Sequence, residues 1–359
     1  MRTHFKRWTK YQAWKWAANH PWHAGCNYTP RYAINQIEMW HEATFNRLVI
    51  AEELDWLVKC GLTGVRVYLH DLLWKNDAET FFANIRAFLD LCGARGISVV
   101  FTVFDDCWYD RATYGIQPAP VPGLHNSGWV QSPGDRVLAD PDHWSYLEAY
   151  VRDLMRTFGD DPRILMWDLY NECENFYLPS LSQPNPTSLF TKAKVLARKF
   201  TGGYNSELLL IKAFEWARTE NPSQPLTSSV YLPIQRLKAT VLQLSDVITF
   251  HNYSGAKSLV KDIKKFKQLG RPVVCTEWLA RPSKSLVQTH LPIFKEHAVS
   301  CYNWGFVDGK TQTKFTWKDR QSGDEPKVWF HDLLKSDGTP YDAEEIRVFQ
   351  ELTGGKSKS

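Results

Sequence analysis

A (β/α)8 TIM barrel, an α/β fold, is the class this 359-residue chain predicts, and three observations carry the expectation. Short apolar runs alternate with segments of helical period almost to the end of the chain. The runs are apolar along their length, as parallel strands covered on both faces must be. Polar and aromatic residues gather where the runs end, the end at which such barrels keep their chemistry. An open doubly wound sheet is the alternative, but no glycine-rich dinucleotide loop follows the first run. The length suits one barrel with insertions, so residues 1–359 are read as a single domain.

The elements follow in order. Residues 1–20 read as a flanking helix. Strands are expected over 24–28, 64–69, 98–104, 164–170, 225–230, 247–250, 273–276 and 300–304. Helices between them include 47–60, 79–94, 144–158 and 206–219, where apolar positions recur at three and four. The spacing is uneven. Residues 105–142, rich in Pro, Gly, Trp and Asn, follow the third strand, and 173–191 follow the fourth. Loops of that length in a compact domain are usually functional. Residues 354–359 read as a frayed tail.

Composition narrows the partners. The net charge of +4 comes from 43 basic and 39 acidic residues spread along the chain. The densest basic stretch, Lys261, Lys264, Lys265 and Lys267, reads as a solvated helix face, so no nucleic-acid partner is expected. No segment approaches membrane-spanning length, so no membrane partner is expected either. Seven cysteines without a Cys-x-x-Cys pair suit buried free thiols. With no apolar leader after Arg2, Lys6, Arg7 and Lys10, a cytoplasmic location is expected. A secreted mature form without its signal is the alternative. The chain holds 16 tryptophans, and indole faces stack well on the C–H faces of sugar rings, so carbohydrate is an expected ligand, with an aromatic-rich core as the alternative reading of the composition.

At the carboxyl ends of the expected strands stand Asn27 and Tyr28, Arg66 and His70, Asp105 and Asp106, and Asn171 and Glu172. The later strands end in His251 and Tyr253, in Glu277, and in Trp304. Asn171-Glu172 after the fourth strand, His251-Asn252-Tyr253 after the sixth, Glu277 after the seventh and Trp304 after the eighth resemble the clan A glycoside hydrolases. The similarity is greatest to the family 5 cellulase and mannanase group, and it spans roughly residues 22–304.

The resemblance implies a retaining β-glycosidase that works by double displacement without cofactor or metal. Such enzymes hold two carboxyls about 5–5.5 Å apart, one to attack the anomeric carbon and one to protonate the leaving oxygen. The resemblance makes Glu172 the acid/base and Glu277 the nucleophile. The Glu277 charge and an apolar wall are expected to keep Glu172 protonated. Arg66 and Tyr253 would hold Glu277 ionised. Asn171 would bond the sugar 2-hydroxyl, and Trp304 would lie under the ring. His251 orients its neighbours or touches substrate. Buried Arg is usually paired, so an ion pair that closes the barrel bottom is the alternative for Arg66.

Tyr28, His70 and Asp105 are further candidates for sugar contact, with His125, Asn126 and Trp129 in the long third loop and Trp108 as a stacking surface. Residues 35–40 offer a second wall. Two raised walls would turn the cleft into a pocket, as exo action or short oligosaccharides require. The chain departs from its relatives at Asn171-Glu172-Cys173, where many read Asn-Glu-Pro, so the turn after the acid/base lacks its proline. Transglycosylation, non-catalytic sugar binding and a metal-dependent barrel hydrolase are the competing functions. The sugar and its linkage stay open.

Overall fold

The computed structural model describes residues 6–110, 112–175, 205–231, 235–317 and 324–354. The expected loop after the fourth strand from residue 176 onward, the first five residues and the tail from 355 lie outside the described residues. Nine parallel strands form one ring: β1 (Ala24–Asn27), β2 (Gly64–Tyr68), β3 (Ser98–Asp105), β4 (Ile164–Asn171), β5 (Leu226–Thr227), β6 (Ser229–Val230), β7 (Ile248–His251), β8 (Val273–Trp278) and β9 (Ser300–Asn303). Their order, β5-β4-β3-β2-β1-β9-β8-β7-β6, begins and ends on one chain segment. Ser228 divides it, and its hydroxyl donates to the Tyr170 carbonyl. The expected fifth strand is therefore present as two halves, and the barrel closes through it.

Strand register lines up the site before any side chain is considered. Asn27 pairs with Arg66, Asp105 with Asn171, and His251 with Glu277. The ladder is irregular between Phe250 and His251 and between Cys275 and Trp278. Bulges of that kind re-aim a side chain at the rim of a barrel. Period-two alternation then sends Arg66 and Tyr68 inward and Val67 outward to the helices.

The helices start where a side chain can cap them. Asn46 accepts from the backbone N–H groups of Leu48 and Val49 and opens helix Arg47–Lys59. The expected helix at 79–94 is the second half of a longer one, Asp71–Gly93. Its backbone breaks at Asp77 (φ −154°, ψ 78°), where the carboxylate accepts from Thr80 N–H and starts the helix anew. Helix Lys10–Ala18 covers less than the expected 1–20 and is capped by Thr9 and Gln12. Beyond β9 the described chain runs without regular structure to helix Ala343–Thr353, whose Phe349 meets Trp278 on the outside of the barrel. All seven cysteines are free and buried. Among the described residues no helix is long and apolar enough to cross a membrane.

Candidate active site

The carboxyl ends of the strands converge on Arg66, which is fully buried. Its Nη2 donates to Asp168 and Asn171, both at 2.7 Å. Its Nη1 donates to Asn27 at 2.7 Å and to Glu277 Oε1 at 3.0 Å. A buried guanidinium needs partners on every edge, and this one has them. Arg66 thus pairs with Glu277 and with Asp168, three residues before the end of β4, rather than with a group at the barrel bottom.

Glu277 collects donors. Tyr68 gives its hydroxyl to Oε1 at 3.0 Å and Tyr253 gives its own to Oε2 at 2.7 Å. Burial pushes the Glu277 carboxyl up, and the neighbouring Glu172 adds to this, while Arg66 and the Tyr253 hydroxyl pull the other way. Three donors on two oxygens suit the anion.

Glu172 sits in a different setting. Its side chain keeps 15% of its exposure, and burial raises its carboxyl to about 7 against the pull of Cys107, Arg66 and Asn175. Desolvation, more than the charge of Glu277, is what favours the protonated form. His251 Nδ1 lies 2.8 Å from Oε1, and Asn175 donates to Oε2 at 2.6 Å. Burial lowers His251 to about 4, so its ring is neutral at pH 7. Glu172 itself has φ +42°, a costly conformation for a residue with a side chain. The Tyr231 hydroxyl donates to the carbonyls of Glu172 and Cys173, and Asn175 N–H closes back on Glu172. These bonds hold the turn where proline is missing.

Asn171 is fixed by its neighbours: Oδ1 accepts from Arg66 and Nδ2 donates to Asp105 at 2.9 Å. That pattern sets the orientation of the amide, whose Nδ2 also donates to the Cys107 sulfur at 3.7 Å.

A cavity of about 360 Å³ opens over these groups. It brings together Asn171, Glu172, His251, Tyr253, Glu277 and Trp304 of the expected constellation. Trp108 and His125 from the third loop also border it. Five other candidates stand outside it. Tyr28 faces the helix layer and donates to Glu53 at 2.6 Å, because Asn27 takes the inward position. His70 is wholly buried; it caps helix Asp71–Gly93 and contacts the Gln131 carbonyl at 3.0 Å. Asp105 lies behind Asn171 and accepts from the Trp129 indole at 2.7 Å, which takes Trp129 out of the cavity too. Asn126 borders a separate cavity of about 20 Å³ behind Trp304. For Tyr28, His70, Asp105 and Trp129 a nearby partner already uses the polar atom, whereas both polar atoms of the Asn126 side chain are buried without one among the described residues.

Sequence reading did not find Tyr68, Cys107, Asn175, Tyr231, Asp262 or Trp317. Only Tyr68 had a usable signal, two places after Arg66 on one strand. Among the described residues, Glu172, His251 and Glu277 are the group whose ligand atoms lie close enough, within 4.8 Å, to share a metal ion. Arg66 and two phenol donors already occupy the Glu277 oxygens, which suits a carboxylate kept for attack better than a cation ligand.

No family model matches the chain, and no curated protein does. Solved structures do. A calcium-binding mutant of Bacteroides uniformis β-glucuronidase 2 has a TM-score of 0.57 at 12% identity, over 95% of this chain and 35% of that one. GH5_18 from Streptomyces cattleya in complex with GlcNAc has 0.54 at 15%, over 95% and 82%. An exo-β-1,4-mannosidase from Opitutaceae bacterium strain TAV5 has 0.55 at 17%, over 93% and 59%. The chain thus spans about a third of the glucuronidase. It shares the barrel fold of glycoside hydrolases of the kind the strand-end motifs resemble.

Proposed function

We propose that this protein is a retaining β-glycoside hydrolase acting on β-linked oligosaccharides or glycosides. The observation that carries the reading is the pair of carboxyls: an oxygen of Glu172 and an oxygen of Glu277 lie within 4.8 Å. Inverting enzymes separate their carboxyls by roughly 6.5–9.5 Å to admit a water between them, whereas retaining pairs stand about 5–5.5 Å apart, and the close approach of these two oxygens supports the retaining reading. The opposed settings supply the rest, with a desolvated Glu172 that keeps its proton and a donor-rich Glu277 that keeps its charge.

In the first step Glu277 attacks the anomeric carbon, the glycosidic bond breaks, and the Glu172 proton goes to the leaving oxygen. Arg66, Tyr68 and Tyr253 hold the attacking carboxylate in line. In the second step Glu172, now ionised, takes a proton from water, whose oxygen displaces Glu277 from the sugar. Asn175 and His251 keep Glu172 in place through both steps. Trp304 offers its ring to the sugar in the cavity, and Asn171, which borders it, would exchange its long contact with the Cys107 sulfur for a sugar hydroxyl.

Glu172→Ala tests the division of roles. On a nitrophenyl glycoside, whose leaving group needs little protonation, the variant should stall at the glycosyl ester. Azide should restore turnover and yield the β-glycosyl azide. Turnover at the wild-type rate without azide, or an α-azide product, contradicts the reading. The wild-type pH profile is a second check. A proton donor with a carboxyl near 7 loses activity as pH rises through that value. The acid limb marks protonation of Glu277 and should lie above the ordinary carboxylate range, since burial raises that group. A profile flat from pH 6 to 9 contradicts the assignment.

A further inference from the structure

We propose, on the basis of that hydrolase reading, that the cavity accepts a single sugar on the glycone side. The enzyme then removes one residue at a time from the non-reducing end of short chains. The orientation follows from the chemistry. Glu277 attacks the anomeric carbon and Glu172 protonates the oxygen that leaves, so the departing part lies on the Glu172 side, toward Asn175 and Tyr231. The sugar that is attacked lies toward Trp304.

On the Trp304 side three loops close the way. The loop after β3 is joined to the chain after β9: Asn126 N–H donates to Thr311 O at 2.8 Å, and the Gln312 side chain donates to Val121 O at 2.7 Å. His125 Nδ1 contacts the Phe315 carbonyl at 2.9 Å. The loop after β1 joins both. Asn35 Nδ2 donates to Gly128 O at 2.8 Å, Lys310 N–H donates to Arg31 O at 3.0 Å, and Lys310 pairs with Glu38.

These contacts leave no slack. A Cβ at Gly309 would stand 2.4 Å from the Arg31 backbone, and one at Gly128 would stand 2.4 Å from the Ile34 side chain. An open cleft that threads a polysaccharide would not need loops from three strands bonded to one another.

The wall is also faced with rings on the cavity side. His125 packs between Trp108 and Trp317, at centroid distances of 6.0 and 6.5 Å. Trp317 in turn meets Tyr253 edge-on at 5.1 Å. Behind Trp304 stand Trp129 and Tyr68, at 5.9 and 5.8 Å. A second sugar beyond the attacked one would have to displace this packing. Among the described residues the leaving side is bordered instead by the Asn175 amide and the Tyr231 hydroxyl, which suits a polar aglycone such as another sugar.

The test uses 4-nitrophenyl β-trisaccharides of the sugar whose monoglycoside the enzyme turns over best. One set is free at the non-reducing end and the other is blocked there with a benzyl ether. The free set should lose one terminal monosaccharide first, leaving the nitrophenyl disaccharide. The blocked set should react at least a hundredfold more slowly. Comparable rates on the two sets, or a disaccharide as first product from the free end, overturn the proposal and leave the hydrolase reading intact. If no monoglycoside and no trisaccharide is cleaved, the hydrolase reading fails and the proposal fails with it.

Discussion

Glu277→Gln should remove turnover by about four orders of magnitude or more while the protein stays folded. Loss of a covalent nucleophile acts on the transition state directly, and residues that work as a unit cost nearly the whole rate enhancement when one is removed. The glutamine oxygen can still accept from Arg66, Tyr68 or Tyr253, so the local bonds are largely kept. Burial disfavours the charge that the wild-type residue carries, so folding should change little. Thermal unfolding and nitrophenyl glycoside assays on the same preparation check both halves. Wild-type activity in this variant would remove Glu277 from the mechanism.

Arg66→Met should have the largest effect on stability. The guanidinium bonds Asp168, Asn171, Asn27 and Glu277 at once, and Asp168 is fully buried. Removing one partner of a buried ion pair leaves the other charge stranded, at about 3–5 kcal/mol. Urea denaturation should register that loss, and adding Asp168→Asn should recover part of it, because the two sites share one interaction. Arg66→Lys should recover less, since one ammonium cannot span four acceptors fixed around a planar fork. A loss below about 1 kcal/mol for Arg66→Met would contradict the account of this cluster.

The barrel was legible because its signal is periodic. Apolar runs closed by a charge marked Glu172 and Glu277, and most strand bounds agree to within one or two residues. What periodicity does not carry was harder to read. The inward turn of Tyr68 followed from Arg66 by alternation, yet a tyrosine closing an apolar strand looks like core. Asp168 in mid-strand carried a signal that the sequence reading did not use, since a buried carboxylate there needs a partner. Strand ends alone could not tell inward from outward, which is why Tyr28 and His70 were taken for sugar contacts.

Asn175, Tyr231 and Trp317 come from turns and an irregular segment, where no period exists and only tertiary contact sets position. The wall was expected from residues 35–40 and the third loop, and both contribute. Its third member, around Lys310 to Phe315, lies beyond the last strand, where the alternation had ended. The protonation of Glu172 was expected in part from a neighbouring charge, whereas burial is the principal cause.

The account depends on a covalent bond between Glu277 and the sugar. An activated 2-deoxy-2-fluoro β-glycoside slows both steps, but its good leaving group lets the first proceed, so the intermediate accumulates. Incubation of the wild-type protein with this reagent, followed by proteolysis and mass spectrometry, should find one fluoroglycosyl group on the peptide that carries Glu277, with activity lost in step. A label on Glu172 or elsewhere, or hydrolysis with inversion and no label, would contradict the mechanism.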